Sequence, residues 1–175
     1  MASQSRGKRF EQQIREDFEK VTDVSVDRLP DQVTRYRGSS SNPCDFIVYK
    51  EPYEYYIECK TTKGASLPFD NIKGYKEFSN GEENVKKQWT LLYDKSLIQG
   101  VFAGILCWFY DKDVTKFIPI QLLYELHEQG SKSVRYDIVG DGVITFKGQK
   151  KRTYYSYDME DFFRQIERGN YGNSI

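Results

Sequence analysis

The chain lacks long apolar stretches and an excess of charge of either sign. It has 175 residues, with 26 lysines and arginines balanced by 26 aspartates and glutamates, so the formal net charge is zero. The longest apolar run, residues 101–110, is too short to cross a bilayer. The basic start, residues 1–9, has no apolar segment of a signal peptide behind it. These absences predict a cytoplasmic protein with no membrane partner.

Cysteine and histidine are also scarce. Cys44, Cys59 and Cys107 lie far apart, form no CxxC pair or zinc ligand set, and are odd in number, which argues against a disulfide framework. The single histidine, His127, lies in a predicted helix and is expected to be a surface or packing residue. No Ser-His-Asp or Cys-His set and no glycine-rich phosphate loop can be recognised. Any catalysis must therefore depend on other side chains.

The order of helix and strand patterns predicts one α/β domain over residues 1–175, with a mixed central sheet flanked by helices. Phe10, Ile14 and Phe18 recur every four residues, which is typical of an amphipathic helix, and Ser5 is its expected N-cap. We predict helices at 7–21, 83–97, 121–129 and 158–168, strands at 24–29, 46–49, 53–60, 101–110 and 114–120, a mostly loop segment at 61–82, and one or two further strands in 135–157.

Two acidic residues lie at corresponding places of two neighbouring predicted strands. Asp45 opens the apolar run 46–49, and Glu58 lies near the end of the run 53–60. A hairpin that joins the runs would bring Asp45 beside Glu58. Because alternate side chains share a face of a strand, Lys60 would point the same way as Glu58.

Two carboxylates and an ammonium group at one place predict a metal-dependent phosphodiesterase site. Asp45 and Glu58 would hold Mg²⁺, for which Mn²⁺ would substitute, and the carbonyl of Cys59 would supply a third oxygen. Lys60 would face the attacking water or the scissile phosphate and offset the negative charge of the transition state. The alternative is an exposed, salt-bridged hairpin without catalytic function.

Other polar residues are candidates for supporting roles. Glu11 lies at the border of the apolar stripe of the first helix, where it can lean toward the metal or pair with Arg15. Gln88 lies on the inner side of its predicted helix and can bond Lys60, DNA or a neighbouring main chain. Candidate DNA-binding residues are Arg35, Arg37, Ser41 and Lys63, for which a solvated loop is the alternative.

The motif Pro43-Cys44-Asp45 with Glu58-Cys59-Lys60 resembles that of the PD-(D/E)xK nuclease superfamily. Within it, roughly residues 7–120 resemble RecU-type Holliday junction resolvases, through a GxxFE-like first helix, the acidic hairpin, the ExK followed by threonine, and a Leu-Pro-Phe loop at 67–69. Gln88 matches the glutamine that the family carries in its next helix.

The resemblance implies a restriction-endonuclease-like fold and a homodimeric, magnesium-dependent endonuclease. Such enzymes act on four-way DNA junctions and leave 5′-phosphate and 3′-hydroxyl ends. By position, Asp45 and Glu58 would be metal ligands, Lys60 the catalytic lysine, Glu11 an accessory acid and Gln88 a supporting group. A bacterial or phage-infected cell would be the setting.

The chain departs from the RecU pattern in two places. Only residues 31–42 stand where RecU proteins have a longer stalk that enters the junction, and Pro43-Cys44 replaces the Ser/Thr residues before the aspartate. A restriction or repair nuclease acting on duplex or flap DNA, and a junction-binding module that does not cut, are therefore the alternatives.

Overall fold

A computed structural model describes residues 5–29, 42–72, 74–79, 82–146, 148–150 and 155–171, with the backbone alone for 74–79, 82–88, 150, 170 and 171. The helices in these segments are α1 (Arg6–Phe18), α2 (Gln88–Ser96), α3 (Ile120–Glu128) and α4 (Met159–Tyr171). The strands are β1 (Ser25–Arg28), β2 (Phe46–Lys50), β3 (Tyr53–Thr62), β4 (Ser66–Pro68), β5 (Gly74–Ser79), β6 (Glu82–Lys87), β7 (Val101–Phe109), β8 (Val114–Pro119), β9 (Ser133–Arg135), β10 (Ile144–Phe146), β11 (Gln149–Lys150) and β12 (Tyr155–Ser156). Among the helices so described, none is both long enough and apolar enough to span a membrane.

Six strands form the central sheet in the order β1-β2-β3-β7-β8-β10. The pair β3–β7 is parallel and the other neighbours are antiparallel. A parallel pair needs a long crossover, and the chain supplies it between residues 63 and 100, which include α2. The predicted α/β class, with a mixed central sheet flanked by helices, is confirmed in this architecture.

The sheet has an apolar core on each face. On one face, α1 and α4 cover β2, β3 and β7, with Phe18, Tyr55 and Phe162 fully buried. On the other face, α2, α3 and the small β4–β9 sheet cover β3, β7 and β8. Both faces of β3 and β7 are therefore covered, which explains why residues 101–110 are almost wholly apolar.

Helix α1 follows the pattern that predicted it. The Ser5 hydroxyl accepts a hydrogen bond from Lys8 N, as expected for an N-cap. Phe10, Ile14 and Phe18 are buried against the sheet. The helix ends at Phe18, three residues earlier than the pattern suggested.

Gly104 in β7 permits an unusually close approach of the neighbouring strand. A Cβ at this position would lie 2.5 Å from Phe117 Cζ and 2.6 Å from Ile118 O, both in β8. No side chain fits in that space, so glycine is required for β7 and β8 to pair here.

The segment between β3 and β7 differs from its prediction. Residues 61–82 were expected to be mostly loop, but they contain β4 and β5, and the helix expected at 83–97 begins only at Gln88 because β6 precedes it. β5 and β6 pair antiparallel from Gly74↔Lys87 to Ser79↔Glu82. The glycines suggested a loop, whereas strand pairing determines the structure of this segment.

Candidate active site

The predicted acidic hairpin is present. β2 and β3 pair antiparallel from Phe46↔Ile57 to Lys50↔Tyr53, and a two-residue turn, 51–52, joins them. β2 is five residues long and β3 is ten. β3 therefore continues past the first residue of β2. The acidic residues lie where β2 begins and β3 extends beyond it.

Asp45 extends the pairing between β2 and β3 by one residue, through both its backbone and its side chain. Its N–H donates to Ile57 O (3.1 Å), and its carboxylate Oδ2 accepts from Cys59 N (2.7 Å). The carboxylate thus occupies the place of the next backbone partner of β3. This bond fixes Asp45 beside the residue that directly follows Glu58.

Glu58 and Lys60 form an ion pair on the face of β3 that α2 and α3 cover. The distance from Lys60 Nζ to Glu58 Oε1 is 2.5 Å, and the side chains are only 15% and 5% exposed. An exposed, salt-bridged hairpin therefore does not describe this pair. Two partly desolvated charges cost free energy, so this pair is weak evidence for stability, and such pairs also cluster at functional sites.

The backbone carbonyl of Cys59 points to the side of β3 on which Asp45 lies. Glu54 N donates to Gly100 O on the β7 side, whereas Ile57 O and Cys59 N bond Asp45 on the β2 side. Backbone groups alternate along a strand, so the carbonyl of Cys59 lies on the β2 edge, with Asp45. The Asp45 carboxylate and the Cys59 carbonyl thus lie on the same side of β3. Cys59 is next to Glu58 in the sequence, and Asp45 lies just before the start of β2.

The negative charges of the acids affect the pKa values of two buried thiols, Cys44 and Cys59. Burial raises the pKa of Cys59 well above its usual value, and Asp45, Glu58 and Glu11 raise it further while Lys60 opposes them. Burial likewise raises the pKa of Cys44, with Glu58 and Asp45 adding to the effect. Asp45 and Glu58 therefore act on the same small region.

We expect all three cysteines to be unreactive in the folded protein. The thiolate is the nucleophile, and burial raises the pKa of Cys44, Cys59 and Cys107. A chromogenic disulfide reagent at mildly alkaline pH should label no thiol in the native chain and three after denaturation. A Leu97→Cys variant, at a side chain 66% exposed, should add one fast-reacting native thiol. Rapid native labelling of the unaltered chain would contradict the burial of these thiols.

Glu11 lies near the acids but pairs with another residue. Its carboxylate Oε2 is 3.4 Å from the guanidinium of Arg28 in β1, and its side chain is 21% exposed. Arg15 pairs with Glu19 at 2.7 Å. Glu11 raises the pKa of Cys59 by its charge, so it belongs to the surroundings of the site.

The remaining candidates lie outside the described part of the chain or at its surface. Gln88 is the first residue of α2, but its side chain is not among those described, and Arg35, Arg37 and Ser41 lie in the segment 30–41, which is outside the described residues. Lys63 is exposed in the bend after β3. Their roles stay predictions.

His127 is a packing residue, as predicted. Its ring lies edge-on to Trp89, with centroids 4.3 Å apart, and 6.1 Å from the ring of Phe69. His127 therefore packs α3 against α2 and has no described contact with Asp45 or Glu58.

Sequence reasoning missed a buried acid, Asp17. Its side chain is 0% exposed and accepts from Gln13 Nε2 (3.0 Å), Lys20 Nζ (2.6 Å), Ser156 Oγ (3.1 Å) and Tyr157 N (2.8 Å). The signal was present in the sequence, since Asp17 falls seven residues after Phe10, within the apolar stripe of α1. This carboxylate ties the helix that carries Glu11 to the segment that precedes α4.

Lys116 was also missed. It is 6% exposed on the same face of the sheet as Lys60, and Cys107 lies between the two lysines in the register. Its Nζ donates to Ile138 O (2.7 Å), and burial lowers its pKa. The alternation of β8 places Lys116 on a covered face of the sheet.

Comparison with known proteins gives a likeness of fold. No family model matches the chain, and no curated protein matches it. Among solved structures, it is similar to Hjc, a Holliday junction resolvase from the archaeal hyperthermophile Archaeoglobus fulgidus, with a TM-score of 0.43 and 18% identity over 67% of this chain and 75% of that chain. A likeness of this size says nothing about the chemistry of the chain.

Proposed function

We propose that this protein is a metal-dependent DNA endonuclease that resolves Holliday junctions. The observation that carries the proposal is the arrangement at the start of β2. The Asp45 carboxylate is bonded to Cys59 N, directly beside a buried Glu58 that is paired with Lys60. Clusters of charge that a fold keeps out of water at a sheet edge are typical of active sites.

The oxygen donors fit Mg²⁺. In the part of the chain that the structure describes, no three His, Cys, Asp or Glu side chains form a cluster able to hold a metal, so a cage made only of side chains is not found there. Mg²⁺ does not need one, because it keeps several waters and takes one or two carboxylates. Asp45, Glu58 and the carbonyl of Cys59 would hold it, and Mn²⁺ would substitute.

The chemistry follows from the charges of the site. Water attacks phosphorus in line, one P–O bond forms, and the bond to O3′ breaks, which leaves a 5′-phosphate and a 3′-hydroxyl. The proton that water loses is balanced by the one that O3′ gains. Mg²⁺ held by these residues would supply Lewis acidity for the phosphate. Lys60 places an ammonium group where the phosphorane charge grows, and Glu58 holds that ammonium in place.

We propose a four-way junction as the substrate because of the sequence resemblance. The same resemblance leads us to propose a RecU-type enzyme that acts as a homodimer. The matching residues run from Gly7 through the acidic hairpin to Gln88. A twofold-symmetric dimer presents two identical sites, which suits a substrate with two equivalent strands to cut. We place the enzyme in the cytoplasm of a bacterial or phage-infected cell.

A panel of labelled substrates tests the proposal. With Mg²⁺ or Mn²⁺, the protein should cut a four-way junction at paired symmetric positions and cut flap and linear duplex DNA much more slowly. A chelator should abolish cleavage, and products should be religated by DNA ligase because they carry 5′-phosphate and 3′-hydroxyl ends. Faster cutting of linear duplex would indicate a restriction or repair nuclease. Binding of the junction without cleavage under any of these metals would indicate a junction-binding module.

A further inference from the structure

Three elements meet where β3 leaves the sheet after Thr62, two residues past Lys60. The first turn of α1 approaches β3, since a Cβ on Gly7 would lie 3.9 Å from Thr61 Oγ1. The turn between β7 and β8 is joined to β3 by a bond from Tyr110 N to Thr62 O (3.1 Å). The segment after β9 is joined by a bond from Tyr136 N to Ala65 O (2.9 Å).

Cations are held on aromatic rings at this place. The guanidinium carbon of Arg6 lies 4.0 Å from the ring centroid of Tyr110, and Lys112 Nζ lies 5.5 Å from that of Tyr136. Both cations are exposed and both rings are half-buried. A ring beneath a cation limits its freedom and leaves its N–H groups available to an anion. We call Arg6, Tyr110, Lys112 and Tyr136 the strand-exit surface.

The acids near the strand-exit surface reduce its charge only in part. Asp137 binds Arg135 through two bonds of 3.0 Å, so Arg135 is not counted among the cations of the surface. Asp113 accepts a bond from the Tyr155 hydroxyl (2.9 Å). Asp111 and Asp113 flank Lys112 in the exposed turn, so its contribution should be smaller than that of Arg6.

We propose that the strand-exit surface is a phosphate anchor for the DNA next to the scissile bond. This deepens the proposed function and rests on it. Thr61 directly follows Lys60, so the strand-exit surface lies at the same end of β3 as Lys60, although alternation places the side chains of Thr61 and Lys60 on opposite faces of the strand. A DNA strand whose phosphate lies at Lys60 would reach the strand-exit surface by passing around that end of β3. Fixed cations at that point would contact neighbouring phosphates and set the register of the DNA without reading its sequence. Arginine suits this task because its planar fork matches phosphate oxygens.

The test measures junction binding without divalent metal as a function of salt. Each lost phosphate contact should make the slope of log affinity against log salt less negative by about 0.9. We expect this change for Arg6→Gln, a smaller one for Lys112→Gln, and their sum for the double variant. Arg164→Gln, which removes an exposed guanidinium that is ion-paired on α4, is the matched control and should leave the slope unchanged.

A second pair of variants separates a held cation from mere positive charge. Tyr110→Leu keeps the charge of Arg6 but removes the ring, and it should weaken binding about two- to fivefold. Tyr110→Phe keeps the ring and should bind like the unaltered protein. Melting curves of each variant identify any loss of fold.

The outcomes distinguish this proposal from the proposed function. Unchanged slopes in Arg6→Gln and Lys112→Gln, with the junction still cut, would overturn the anchor and leave the nuclease. Reduced slopes without any cleavage would support the anchor and overturn the nuclease. A folded protein that binds no DNA at all would overturn both.

Discussion

Replacing Asp45 with asparagine is expected to lower the rate of magnesium-dependent junction cleavage by about 10³-fold, because losing a metal ligand removes several kcal/mol of transition-state stabilisation. The asparagine carbonyl can still accept from Cys59 N, so β2 and β3 should keep their pairing. Binding of the junction without metal should therefore change little. Single-turnover cleavage of a labelled junction, together with a binding titration, measures both quantities.

Asp23→Asn is the control for this substitution. It makes the same chemical change at an exposed residue in the left-handed region, φ 57°, which asparagine tolerates. Asp23 precedes the end of β1 that pairs with Tyr49, whereas Asp45 lies at the opposite end of β2. Equal activity of Asp45→Asn and Asp23→Asn would remove Asp45 from the catalytic machinery.

The second large effect concerns stability, at Asp17. Asp17→Ala should lower the free energy of unfolding by about 3 kcal/mol, because hydrogen bonds to a charged group are lost and the buried Tyr157 N–H is left without its acceptor. For a chain of this size the melting temperature should fall by about 6–12 °C. Denaturant titration and thermal melting followed by circular dichroism check this.

The matched control for Asp17 is Asp161→Ala. Asp161 accepts from Arg164 (3.0 Å) and Gln165 (2.7 Å), but its side chain is 47% exposed. Surface pairs contribute little, so we expect a loss below about 1 kcal/mol. Similar losses for the two variants would mean that burial of the Asp17 carboxylate has no special role.

Helices and strands with a strong apolar period were predicted well. The stripe of α1, the central strand β7, and the inward residues Met159, Phe162 and Ile166 of α4 all have the predicted location. These elements bury whole faces, so local pattern and final packing agree. The hairpin β5–β6 was missed because apolar and polar residues alternate little along its sequence, and that alternation is the pattern that predicts a strand.

The acids of the site were predictable for a similar reason. Two neighbouring strands joined by a short turn can pair in few ways, so the position of Asp45 relative to Glu58 followed from the hairpin. The bond from Cys59 N to the Asp45 carboxylate was not predictable, since it depends on β3 continuing past the first residue of β2. Nor were the bonds that Asp17 accepts from Ser156 and Tyr157, which join residues about 140 positions apart.

The two-residue turn 51–52 sets a limit on length variation in this protein. Thirteen positions separate Asp45 from Glu58, and each must be present for the acid to reach its place. Inserting or deleting one residue in the turn would bring Phe46 or Cys44 opposite Cys59 N instead. Both strands could still form, yet the site would lose its carboxylate. Functional variants of this chain should therefore tolerate substitutions at residues 51 and 52 far better than any change in their number.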